Sequence, residues 1–328
     1  RRRRRRTPAE EPRALFGRFG IEVLATTDAA GDDLSAHAAL RAAGLPVVPT
    51  FRPDAVLHLN SEGWAQAVAD LQARAEIAVH DAASLFEALR RRRAAFRALG
   101  GSATDHGATT PWLEPLPERE AEALFARARR GAALSDEEDA RFHGHALLEM
   151  AAMAREDGMT MQLHVGSLRN HHRAVHRRFG LDKGADMPVA VDWTRGLHTL
   201  LNDHGHDPAF RLVLFTLDEA TYARELAPLA GHYPALRLGA PWWFFDSVLG
   251  MERYLDRVVE TAGVYNLAGF NDDTRAFASI PARHDVWRRT TCNWLAVMAG
   301  RGLIDEDDAP SLARWLAYDA AKATYRLG

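Results

Sequence analysis

A chain of 328 residues with a formal net charge of −3 has length for one large domain or two ordinary ones, and ample material for a core. That charge gives no electrostatic footing for nucleic acid or an anionic membrane as a partner, and no run approaches the ~20 apolar residues of a membrane span. The single cysteine, Cys292, excludes an internal disulfide framework and a thiolate metal cage. It fits a reducing, cytoplasmic compartment, and its apolar helical surroundings predict a core position.

Arg1 to Arg6 is a homopolymeric basic run whose self-repulsion predicts a disordered tail over residues 1–12, read either as a polyanion-binding arm or as an end without function. From residue 13 to 328 the chain reads as one domain of alternating strands and helices. Seven apolar runs predict strands: Ile21 to Thr27, Val47 to Phe51, Ser102 to Thr104, Met159 to Val165, Leu212 to Leu217, Leu236 to Phe244 and Tyr265 to Phe270. Between them, apolar residues at three- and four-residue spacing predict helices over Ala36 to Ala43, Trp64 to Ala75, Ala82 to Leu99, Ala220 to Ala230 and Gly250 to Ala262. Residues 109–158 form a long connection with two helical patterns, Glu118 to Arg130 and Asp136 to Glu156, and read as a helical insertion. Helices over Ala282 to Ala299 and Asp308 to Tyr325 close the chain.

Alternation of this kind means parallel pairing with right-handed crossovers, as in a doubly wound sheet or a (β/α)8 barrel. No Gly-x-Gly-x-x-Gly loop follows a strand, which weakens a dinucleotide-binding sheet. Polar groups recur at the C-terminal end of nearly every strand, where a barrel carries its active site, and the barrel is preferred. Thr160, Gln162 and His164 share one strand face, with Met161, Leu163 and Val165 on the other.

The strand ends hold the residues that could do chemistry. Arg52 precedes Pro53, which keeps it extended, and its guanidinium can present two parallel donors to a carboxylate. His164 ends a strand beside a polar run that includes Arg169, and a neutral imidazole is a common metal ligand. Trp242 and Trp243 are adjacent and point to opposite faces, so one can wall a pocket. In Asn271-Asp272-Asp273-Thr274-Arg275, an extended backbone would put Asp273 and Arg275 on one face, a carboxylate for metal or proton beside a guanidinium for an anion. A structural ion pair is the competing reading. Two His-x-His spacings, His143-Gly144-His145 and His204-Gly205-His206, follow no apolar strand and are read as structural. No nucleophile elbow is present.

Taken in order, several pieces resemble the uronate isomerases, also called glucuronate isomerases, of the amidohydrolase superfamily. They are Ala25-Thr26-Thr27-Asp28, Phe51-Arg52-Pro53-Asp54, Thr104-Asp105-His106-Gly107, and Gln162-Leu163-His164-Val165-Gly166 with Leu168-Arg169-Asn170. Trp242-Trp243-Phe244 with Asp246-Ser247 and Gly250-Met251-Glu252-Arg253, and Asp273-Thr274-Arg275 with Phe277, complete the set. Asp272 and Thr274 stand where Thr and Ser are usual in that family.

The resemblance implies a distorted (β/α)8 barrel with a helical insertion, strands two to eight being present, and a chain lacking the N-terminal part whose strand carries a His-x-His metal pair. It implies reversible isomerisation of D-glucuronate to D-fructuronate and of D-galacturonate to D-tagaturonate with a divalent metal, zinc by preference, and no nucleotide or flavin. Asp273 is then expected to bind metal and assist proton transfer, with Arg275 as the carboxylate clamp and His164 as a second metal ligand. Arg52, Trp242, Asp246, His106 and Arg169 are expected around the substrate. The expected partner is a small hexuronate, with no nucleic acid or membrane, and a homo-oligomer is admissible. The competing functions are another amidohydrolase-type hydrolase or decarboxylase, and an inactive fragment.

Overall fold

The computed structural model describes residues 11–181, 183–274 and 276–328. The Arg1–Arg6 run and Arg275 lie outside the described residues. Pro12, placed by the sequence in the tail, opens the helix Pro12–Arg18, where its missing N–H costs nothing.

The strands are β1 (Leu24–Ala29), β2 (Val47–Arg52), β3 (Ala103–Ala108), β4 (Thr160–Val165), β5 (Ser167–Leu168), β6 (Met187–Pro188), β7 (Leu212–Phe215) and β8 (Leu236–Leu238). Six of them form one parallel sheet in the order β1-β2-β3-β4-β7-β8. Neighbours in sequence are neighbours in space, and helices occupy the crossovers, which is the winding of a distorted (β/α)8 barrel. The antiparallel ribbon of β5 and β6 was not foreseen.

Two expected strands are shorter than their apolar runs. The run from Leu236 leaves the sheet after Leu238 because Gly239-Ala240-Pro241 follows, and Pro241 has no N–H for a ladder. The run from Tyr265 contributes one bridge, Leu238 to Leu267. Val264–Asn266 is a 3-10 turn, and Gly269 has a φ of +79°, outside the strand region.

Paired residues of parallel strands project from the same face. The registers Ala103 to Thr160, Asp105 to Gln162 and Gly107 to His164 therefore set Asp105, Gln162 and His164 on one side. Gln162 to Val213 and His164 to Phe215 extend that side across β7. A small apolar cluster of Val213, Phe215, Leu217, Trp242 and Ala268 is separate from the main core. The opposite face carries Phe51, Met161, Leu163, Leu212 and Leu214 into the large core against the helices.

The insertion is pinned at both ends. Ser135 and Glu138 form a reciprocal cap for the helix Asp136–Asp157, which has four acidic residues in its first turn and ends at Gly158 with φ +77°. Arg93, almost wholly buried, grips Asp157 with Nε and Nη2 at 2.7 and 2.8 Å and so joins this helix to Ala82–Ala98. At the far end of the chain, Thr160 Oγ1 donates to the Thr324 carbonyl and Tyr325 Oη to Gln162 Oε1, at 2.7 and 2.8 Å. These bonds seat the final helix, Ala320–Tyr325, against β4.

A Cβ added at Gly239 would lie 2.3 Å from the Phe215 ring, which cannot yield freely because it is stacked on His164 at 4.4 Å. Gly239→Ala is therefore expected to destabilise the fold by about 1–3 kcal/mol through overpacking. A urea midpoint equal to the unsubstituted protein's would show that Phe215 has room to move.

Candidate active site

Each of the first strands delivers one charged or ring-bearing side chain to the C-terminal end of the sheet, and these meet. Arg52 closes β2, Asp105 lies within β3, and His164 is the fifth residue of β4. Arg52 Nη1 donates to Asp105 Oδ2 at 3.0 Å, and its Nε to Asp54 Oδ2 at 2.9 Å. The Gly107 N–H adds a bond to Asp54 Oδ2 at 3.0 Å. His164 Nδ1 stands 2.9 Å from Asp105 Oδ1, an ion-pair separation, although Oδ1 makes no hydrogen bond of regular geometry there.

Burial alone would push the Asp105 carboxyl up. The adjacent His164 imidazole and then the Arg52 guanidinium outweigh it and hold the group well below the usual carboxylate range. Asp54 moves the other way. Burial raises it, and the Asp105 charge adds to that against the opposing effects of Arg52 and Gly107.

Rings complete the wall. His164 lies flat on Phe215, with rings 4.4 Å apart and 5° from parallel, and meets Trp242 edge-on at 4.9 Å. Trp242 is buried while Trp243 turns outward, not by strand alternation but because the backbone leaves the sheet and Trp243, with φ +52°, opens a 3-10 turn. Trp242 Nε1 donates to Asp273 Oδ2 at 3.3 Å, which joins Asp273 to the group. Arg52, His164, Trp242 and Asp273 thus belong to one linked constellation.

Asn271 to Thr274 is neither strand nor helix, so Asp273 does not stand on the extended strand expected for it, and Arg275 lies outside the described residues. His106 is not on the face that carries Arg52, Asp105 and His164. Its neighbour Asp105 points inward, so His106 projects to the other side, fully buried with Nε2 3.0 Å from Thr104 Oγ1, and burial pushes its imidazole down to about 3. Asp246 is drawn into an ion pair with Arg283, which also binds Asp272. Arg169 follows β5 and reaches Asp186 at 3.2 Å, pinning the β5–β6 ribbon. Cys292 is exposed on the helix Ile280–Gly300 and is not core. His143 and His145 lie on the insertion helix and His204 ends the helix His198–His204, so neither His-x-His pair sits on a strand.

Sequence reasoning missed Asp54, Asp105 and Arg283. Asp105 was within reach, since strand parity sets it with His164 once β3 and β4 are registered. Arg283 offered no such signal, being on a helix distant in sequence from both partners. Among the described residues, no three His, Cys, Asp or Glu side chains gather as a metal-holding group.

Asp105→Asn removes the charge that orients His164 and is expected to lower activity about 10- to 100-fold. Because the folded-state value of Asp105 is depressed, its stabilisation is fully present above the ordinary carboxylate value of ~3.9 and is lost as pH falls through the lower folded value. The stability gap between the unsubstituted protein and Asp105→Asn should be constant from pH 7 to about pH 4 and shrink below it. Urea titrations that show a pH-independent gap would contradict this.

The family model for glucuronate isomerase matches residues 3–325. The chain is 54% identical over 321 residues to a uronate isomerase of Nostoc punctiforme, a match covering 98% of this chain and 68% of the relative. A uronate isomerase of Rhizorhabdus wittichii is 51% identical, with 98% and 69% covered. The crystal structure of glucuronate isomerase from Caulobacter crescentus superposes with a TM-score of 0.94 at 46% identity, over 98% of this chain and 67% of that one. A uronate isomerase from Thermotoga maritima superposes with a TM-score of 0.92 at 29% identity, over 97% of this chain and 70% of that one. These matches take in nearly all of this chain and do not establish the expected loss of an N-terminal part. With a family model spanning almost its whole length and relatives at half identity, the chain belongs to the glucuronate isomerase family, the uronate isomerases.

Proposed function

We propose that the chain acts on free hexuronates as an aldose-ketose isomerase, interconverting D-glucuronate with D-fructuronate and D-galacturonate with D-tagaturonate. The observation that carries this reading is the meeting of Arg52, Asp105, His164, Trp242 and Asp273 at the C-terminal ends of the strands. The reaction takes a proton from C2, passes through a cis-enediol and returns the proton to C1, so it needs a base near both carbons and donors at the oxygens.

Asp273 is the proposed proton carrier, and its Oδ2 already faces an indole N–H. His164, held through Nδ1 by Asp105, would turn Nε2 toward a substrate oxygen. Arg275 is the proposed clamp on the C6 carboxylate. Arg52 is the weaker candidate for that task, because its charge is already shared by Asp54 and Asp105. Trp242 would supply an apolar wall, and Arg169 remains a proposed substrate contact.

Zinc enters through the resemblance, with Asp273 and His164 as its expected ligands. Two donors fall short of the three protein ligands of a catalytic zinc, and Asp273 and His164 are each engaged on one side by a neighbour. The described residues therefore do not fit a complete zinc shell, and no step is drawn through the metal. A reducing, cytoplasmic setting is part of the proposal and is supported by the lone, exposed Cys292. No helix among the described residues is long and apolar enough to cross a membrane.

Incubating the protein with D-glucuronate in D2O separates isomerisation from hydrolysis or decarboxylation. The expected product is D-fructuronate with all six carbons retained, with deuterium entering C1 to the extent that the carried proton exchanges with solvent. Loss of carbon dioxide, or no D-fructuronate formed, would refute the reading. Arg275→Lys keeps a charge but loses the bidentate fork, so kcat/KM should fall at least about tenfold, and near-normal kinetics would remove Arg275 from the clamp role.

A further inference from the structure

Asp273 lies where the sheet no longer holds the backbone. The last bridge is Leu238 to Leu267, Gly269 turns the chain out of extended geometry, and Asn271 to Thr274 has neither ladder nor helix around it. A carboxylate that must reach two adjacent carbons of a substrate tolerates little displacement, so something other than the sheet has to set its position.

Side chains of the described residues hold it. Phe270 stacks on Trp287 at 5.4 Å and meets His284 edge-on at 5.0 Å before the segment, and Thr274 Oγ1 meets Ser279 Oγ at 2.7 Å after it. Trp242 Nε1 reaches Asp273 itself, at the long end of hydrogen-bond range. A further tie is Arg283, in the first turn of the helix Ile280–Gly300. Its Nε bonds Asp272 Oδ1, next to Asp273, and its Nη2 bonds Asp246 Oδ2 on the loop that carries Trp242. One planar guanidinium thus joins both backbones that flank the Trp242–Asp273 contact. The helix bearing it is anchored by the buried Trp287, Thr290, Thr291 and Trp294. The Asp272 side chain is almost wholly buried and its Oδ2 makes no hydrogen bond, so its charge is opposed chiefly by Arg283, with His284 beside it.

We infer that Arg283 is a positioning residue for the isomerisation, setting the place of Asp273 by bridging Asp246 and Asp272. The inference rests on the reading of Asp273 as the proton carrier. Without the guanidinium, two largely buried carboxylates would face each other across the Trp242 loop and push apart the elements whose contact orients Asp273. Lysine would keep the charge but cannot span two carboxylates with a planar fork.

The test compares the unsubstituted protein, Arg283→Ala and Arg283→Lys by steady-state kinetics on D-glucuronate. It also follows the indole N–H resonance of Trp242 in 15N-labelled protein, assigned through Trp242→Phe. Both Arg283 variants are expected to shift the Trp242 resonance and to lower kcat about 100-fold, as a displacement near 1 Å would, with KM changed less than about threefold. A Trp242 resonance that stays in place in Arg283→Lys would overturn the inference. With kcat also normal, Arg283 would be a structural ion pair only, and with KM alone raised, it would contact the substrate. If the unsubstituted protein does not isomerise hexuronates, the proposed activity fails by itself, while the resonance still decides whether Arg283 places the Asp273 segment. If Arg283→Ala does not fold, Arg283→Lys carries the test.

Discussion

A carboxylate buried between a guanidinium and an imidazole is the interaction on which the rest of this site depends. Asp105 is nearly inaccessible to solvent, and an ionised carboxylate there would cost several kcal/mol without partners. Arg52 and His164 supply them from the two neighbouring strands. The pairing works only because β2, β3 and β4 are parallel and registered so that all three side chains share a face. A shift of one residue in β3 would turn Asp105 toward the helices and bring His106 inward. The sheet register and the charge arrangement are therefore one constraint seen at two scales.

Much of the fold was legible because its signals are local. Helix ends followed capping chemistry, as at Ser135 and Glu138, and apolar runs marked the sheet strands within a few residues. The misses have local causes too. Gly269 and the turn at Val264–Asn266 cut the last strand to a bridge, and Gly239 with Pro241 ended β8 early, features that an apolar run conceals. The site was half legible. Arg52 and His164 stand out by residue type at a strand end, and Trp242 and Asp273 through the resemblance, whereas Asp105 matters through its partners. His106 attracted attention as an imidazole in a polar motif, yet strand parity puts it on the side facing the helices, where burial keeps it neutral.

The two halves of the site are held by different physics. Arg52, Asp105 and His164 stand on paired strands whose ladders fix them independently of any ligand. Asp273 stands on irregular backbone and relies on side-chain ties, among them the indole of Trp242. The tryptophan that touches both His164 and Asp273 couples the halves.

The central claim is that Asp105 fixes the proton and the orientation of the His164 ring. The most direct measurement is the tautomer of His164, read from long-range proton–nitrogen correlations of the labelled protein and assigned through His164→Gln. The account predicts a proton on Nδ1, hydrogen-bonded and protected from exchange, whose signal is lost in Asp105→Asn. A ring protonated at Nε2 alone, with a pattern unchanged by that substitution, would contradict it.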